Sequence, residues 1–253
     1  MSSVADQVER VLKPIQQFVR GWMQTDVTKI RAAELGLRSG NDFWIVGRSG
    51  VLGDCSAEVA AAGLGFLGLA GVRSAWQSLP AGLTPSKVAG EYAKVCAEWG
   101  TVELARFDPG RMRRLNEVGR RIIDAADGSI GTVFAGWRAM PEPDDIGGRV
   151  ALTGHVLREL RGCAHIVAVA ACGIMPLQAI LASPAAPPRS GPGWAEHLQW
   201  TGPFPDGADF RRARLEAEQL TSRILLPAYG SVPAAELDEF AELIEATRNA
   251  IDM

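Results

Sequence analysis

Lysine, histidine and cysteine are all scarce in this chain of 253 residues, and it has no long uninterrupted apolar run. Only Lys13, Lys29, Lys87 and Lys94 are lysines, so nearly all positive charge is arginine; 26 basic against 29 acidic residues leave a formal net charge of -3. Without a basic excess the whole chain has no electrostatic footprint for nucleic acid, which argues against nucleic acid as a partner. The histidines are His155, His165 and His197. None has carboxylates or cysteines at zinc-ligand spacing, so no metal site is expected. Axial haem ligation by His165 would have no supporting motif, and no cofactor is expected either. Cys55, Cys96, Cys163 and Cys172 form no CxxC pair and read as reduced, buried thiols of a cytoplasmic protein. The longest apolar stretch, Ile166 to Ala182, contains Gly173, Pro176 and Gln178 and is short for a membrane span. Met1 to Arg10 carry acids and no apolar signal-peptide segment. Nucleotide-binding glycine fingerprints and a Ser-His-Asp elbow are missing as well.

Helical periodicity is what the sequence has in quantity. Val4, Val8, Val11, Leu12, Ile15, Phe18, Val19 and Trp22 recur at three- and four-residue steps, which predicts an amphipathic first helix bent at Pro14. Further helices are predicted from Val27 to Leu37, from a Ser56 N-cap onward, from Ser86 to Trp99, and from an Asp108-Pro109 cap to about Asp127. In the last helix Leu237, Phe240, Ala241, Ile244 and Ile251 share one face, and Glu239, Glu242, Glu245 and Asn249 lie away from it. Strand-like alternation is nearly absent. The expected fold is an all-α multi-helix bundle. Four prolines between Pro184 and Pro192 mark a linker, dividing a pocket-bearing domain (1–183) from a C-terminal helical part (193–253) that packs back on it.

The candidate site centres on Arg158-Glu159-Leu160-Arg161-Gly162-Cys163-Ala164-His165, where charges, a glycine and a histidine stand beside an apolar run. If Gly162 ends one helix, His165 falls in the first turn of the next, uncharged and able to act as a base. Glu159 could orient it across the bend. A helix continuing through Gly162 would instead put Glu159 and His165 on different faces. Arg48, in an apolar run between glycines, needs either a ligand anion or an internal carboxylate such as Glu159 or Glu218. Glu218 and Thr221, three apart on one helical face, suit either a pocket wall or a hydrogen bond between helices. Trp44, Trp137, Trp194 and Trp200 are candidate pocket walls, with core packing as the default. Arg161 completes the expected ligand contacts. His155 and His197 read as partly exposed helix residues.

Taken in order, Gly47-Arg48 with Leu52-Gly53, Met140-Pro141 with Pro143-Asp144-Asp145, Arg158-Glu159 with Arg161-Gly162 and His165, Gly193-Trp194, and Glu218 with Thr221 resemble an actinobacterial helix-turn-helix family often labelled SalK-like. The resemblance covers most of the chain and implies a helical protein with a winged-helix-like C-terminal part. It also exposes departures. Family positions that usually carry Trp-His, a histidine beside the glutamate and Asp-Gly read Ala151-Leu152, Leu160 and Cys163-Ala164 here. The stretch from Trp194 to Glu218 is shorter than the family pattern by about a dozen residues, roughly a recognition helix or wing.

These departures lead to an expectation that DNA reading is lost. The leading expectation is then a cofactor-independent tailoring enzyme of specialised metabolism, a cyclase, isomerase or lyase. In it His165 moves a proton, Glu159 orients His165, and Arg48 stabilises negative charge on a largely apolar ligand. The alternatives are a ligand-responsive helix-turn-helix transcription regulator, with Arg211, Arg212 and Arg214 on DNA phosphates, and a non-catalytic ligand-binding protein. A homodimer is compatible with each.

Overall fold

Local helix signals predict most of the helices that form. The computed structural model describes residues 4–23, 25–184 and 189–251. Among them are thirteen α-helices and no strand, as the all-α expectation required. In chain order they are α1 (Val4–Met23), α2 (Asp26–Glu34), α3 (Gly40–Ser49), α4 (Ala57–Leu64), α5 (Leu69–Gln77), α6 (Pro85–Glu103), α7 (Pro109–Ala125), α8 (Thr132–Arg138), α9 (Ile146–Ala171), α10 (Pro176–Leu181), α11 (Gly191–His197), α12 (Arg211–Tyr229) and α13 (Ala234–Ile251). The caps work as their chemistry dictates. Ser56 accepts the Val59 N–H at the start of α4, and Asp108 accepts the Arg111 N–H at 2.8 Å at the start of α7, each satisfying a donor that the first helical turn leaves unpaired.

The 26-residue helix α9 is the axis of the fold. It contacts α1, α6, α7, α8 and α12, so it is buried on nearly every side and has little amphipathic signal of its own. This corrects the sequence reading in two places. Helix α9 runs straight through Gly162. A glycine inside a helix costs about 1 kcal/mol relative to alanine, which packing along a long buried helix readily offsets. His155 is fully buried rather than partly exposed, its ring edge-on to Trp137 at 4.2 Å and to Trp22 at 5.2 Å between centroids.

Other glycines in α9 are steric necessities. A Cβ on Gly100 of α6 would lie 2.3 Å from the Gly147 carbonyl oxygen, and one on Gly147 would lie 2.4 Å from that of Gly100. The two backbones can cross this closely only because both side chains are missing. Helices α12 and α13 lie against α1, α7 and α9. Along α13 the face bearing Leu237, Phe240, Ala241 and Ile244 is buried and Glu242, Glu245 and Asn249 are exposed, in the predicted register. Among the described residues no helix is long and apolar enough to cross a membrane.

Candidate functional site

One cavity of about 900 Å³ gathers Arg20 from α1, Arg48 from α3, Arg158 and Arg161 from α9, Arg189 from the segment before α11 and Arg214 from α12. Trp44, Phe66, Leu67, Ile166 and Trp194 supply apolar wall between them. Such a mixture of apolar surface and a few convergent polar groups is the usual make-up of a small-molecule site.

Carboxylates are fewer than guanidiniums here. Glu159, 2% exposed, accepts both Nε and Nη2 of Arg48 at 2.9 Å and Nη1 of Arg158 at 2.5 Å. Burial alone would raise its pKa, but the two guanidiniums overcome burial and hold the carboxyl well below the usual range. Arg158, pulled by burial and by the charge of Arg48, falls to about 10. Glu218 in turn accepts from Arg161 Nη2 at 2.7 Å and pairs with Arg214 Nη1 at 2.5 Å. Four arginines therefore share two carboxylates. Arg20 and Arg189, at the exposed rim, have no carboxylate partner among the described residues. Partial desolvation, together with the charges of Arg189 and Arg161, lowers the pKa of Arg20.

His165 lines the same cavity and is 3% exposed. Its Nδ1 lies 2.8 Å from Thr221 Oγ1, and that hydroxyl donates to the Ala217 carbonyl at 2.7 Å. Because the one hydroxyl proton is used on the carbonyl, Thr221 accepts from His165, whose Nδ1 carries the proton. Nε2 is then a lone-pair acceptor, buried without a hydrogen-bond partner among the described residues and 3.9 Å from Glu218 Oε1. Burial, reinforced by Arg161 and opposed by Glu218, depresses the imidazole pKa to about 3. His165 is thus neutral, as expected, but for a different reason: it sits inside a helix and is desolvated, and no helix N-terminus is involved. Phe66 stacks on it at 5.3 Å with ring planes 10° apart.

The remaining expected residues divide between the cavity and its support. Trp44 lines the cavity with the Arg48 guanidinium 5.3 Å above its ring, and Arg161 and Trp194 also line it. Trp137 does not; it is fully buried and donates Nε1–H to the Arg48 carbonyl at 2.9 Å. Glu218 and Thr221 stand behind Arg161 and His165. Glu159 does not orient His165, because the continuous helix directs the two side chains apart, Glu159 to Arg48 and His165 to Thr221. Of the three arginines expected on DNA, Arg211 and Arg212 are exposed, whereas Arg214 turns inward and donates to the Ala179 carbonyl.

Sequence reasoning missed Arg20, Arg189, Phe66 and the inward turn of Arg214. The only sequence signal of the arginines was their excess over lysine, and Phe66 had none, since the contacts that assemble the cavity span most of the chain. His197, expected on a partly exposed helix, is exposed and stacks on Trp194 at 4.5 Å at the cavity wall. Among the described residues no group of three His, Cys, Asp or Glu side chains is placed to hold a metal ion.

No curated protein and no solved structure matches the chain. The sequence model described as a helix-turn-helix family does, over residues 5–252. That finding overturns two expectations. It displaces the tailoring enzyme in favour of the regulator, and it restores nucleic acid as a class of partner, which net charge and the short 194–218 segment had argued against. The match runs from α1 to the end of α13, and on that span the chain belongs to the helix-turn-helix family.

Proposed function

We propose that this protein is a ligand-responsive transcription regulator whose cavity is the effector site. The observation that carries the reading is the family match across residues 5–252 on a chain that also encloses a cavity of about 900 Å³. Ligand binding at Arg48, Trp44, Arg161, His165 and Trp194 would change how α9 packs against α1, α3 and α12, and through them the surface offered to DNA. Arg211 and Arg212, exposed at the start of α12, are proposed phosphate contacts. We assign residues 1–183 to effector binding and 193–253 to a C-terminal part that closes the cavity, joined by the proline-rich 184–192. We infer as well, from the ordered motifs alone, a divergent member of the actinobacterial SalK-like group, acting in the cytoplasm.

The test is a gel shift with DNA from upstream of its own gene. A complex that weakens steeply between 50 and 200 mM salt is expected, because each neutralised phosphate releases counterions. The Arg211→Gln, Arg212→Gln double variant should lower the salt slope by about 2. No complex at low salt would overturn the regulator.

A further inference from the structure

We propose that the cavity takes an aromatic organic acid, its anionic group held by Arg20, Arg161 and Arg189 and its rings laid against Trp44, Phe66 and Trp194. The proposal rests on the reading of the cavity as a ligand site, and it replaces the largely apolar ligand expected from sequence with a charged one.

Charge comes first. Six guanidiniums face one cavity, and among the described residues only Glu159 and Glu218 pair with any of them, each shared between two. Positive charges gathered at a partly desolvated surface repel one another, and an anion entering among them is stabilised by every one. Arginine is the residue suited to this task, since its planar fork binds carboxylate or phosphate oxygens in pairs and is weakly hydrated. The rim arginines have no carboxylate partner among the described residues to give up, so they engage the acid at little cost to the fold.

The body of the ligand follows from the walls. Two flat stacked pairs, Phe66 on His165 with planes 10° apart and Trp194 on His197 with planes 14° apart, present ring surface to the cavity, and Trp44 adds a third ring. Aromatic faces of this kind favour planar ligands. Inside, His165 Nε2 is a buried acceptor with no donor among the described residues. A hydroxyl or N–H on the ligand would satisfy it, and an acid bearing such a donor fits better than the bare ring.

Titration calorimetry on the full chain, without DNA, tests this with 2-naphthoate and anthracene-2-carboxylate against the uncharged 2-naphthalenemethanol. At least one acid should bind at least about tenfold more tightly than the alcohol. The Arg20→Gln, Arg189→Gln double variant, altered only at the exposed rim, should lose that advantage while its affinity for the alcohol stays the same. 2-Naphthyl phosphate identifies the preferred head group: tighter binding than 2-naphthoate indicates a phosphate ester, weaker binding a carboxylate, and both support the acid. Equal affinity for acid and alcohol, an undiminished acid affinity in the double variant, or no binding by either acid would overturn the proposal. Because no DNA is present, such a failure leaves the gel-shift result standing, and the two readings fail separately.

Discussion

Arg48 and Glu159, 111 positions apart, are joined by two parallel N–H···O bonds of 2.9 Å in the wall of the cavity. The pair ties α3 to the central helix α9. Arg158 adds a third bond to the same carboxylate, and the Trp137 indole holds the Arg48 backbone from below.

Removing the shared carboxylate should therefore be costly. Glu159→Gln preserves shape but leaves two arginines unneutralised, and we expect a loss of about 3 kcal/mol in urea unfolding, the usual scale for breaking a buried ion pair from one side. The Arg48→Met, Glu159→Met double variant should recover only part of that loss, since apolar side chains there leave no unpaired charge on α3 while Arg158 still lacks its carboxylate. A loss below about 1 kcal/mol in Glu159→Gln would remove the pair from the account of stability.

Acid should weaken the fold through its two buried histidines. Burial depresses His155 to about 3, aided by Arg158 and Arg48 and opposed by Glu159, and His165 likewise to about 3. In the unfolded chain both titrate near 6.5. A lowered folded pKa means that the unfolded state takes up protons first, so stability is fully present above pH 6.5 and falls as the pH drops towards 3. Between pH 7 and pH 5, above the carboxylate range, each histidine should remove about 2 kcal/mol. His155→Phe should halve the decline measured by urea midpoints over that interval; an unchanged profile would rule out His155 as a source.

The close crossing of α6 and α9 gives a steric test. Gly100→Ala would drive a methyl to within 2.3 Å of the Gly147 carbonyl oxygen, and backbone cannot step aside as a flexible side chain can. The expected cost is about 3 kcal/mol, at the upper end for overpacking. Gly90→Ala, on the same helix where an added Cβ meets nothing within 4 Å, should be neutral or slightly stabilising by helix propensity. Thermal melts of the two variants that coincide would contradict the crossing geometry.

Sequence by itself determined what depends on a few neighbouring residues. The period of Val8, Val11, Ile15, Phe18 and Trp22 determined α1 and its buried face. Side chains at Ser56 and Asp108 determined helix starts because capping is a contact across three residues. The apolar stripe of α13 determined which side faces inward. Arg48 and Glu159 also stood out as charges among apolar neighbours, and the demand that a buried guanidinium find a carboxylate had already named Glu159 as one of two partners.

Tertiary structure decided the rest. Whether Gly162 ends a helix is a balance of about 1 kcal/mol, too small for local sequence to settle against the packing of the neighbouring helices on α9. That single outcome separated Glu159 from His165 and removed the proton-moving pair. Packing of the surrounding helices on α9 also made His165 neutral through burial and buried His155, whose flanking pattern looks alike on a half-exposed and a central helix. The convergence of Arg20, Arg189 and Arg214 with the α9 arginines brings residues up to 194 positions apart to one cavity. No periodicity encodes such a distance. It follows only when the apolar faces of the helices have found one another and brought their charged flanks to one cavity.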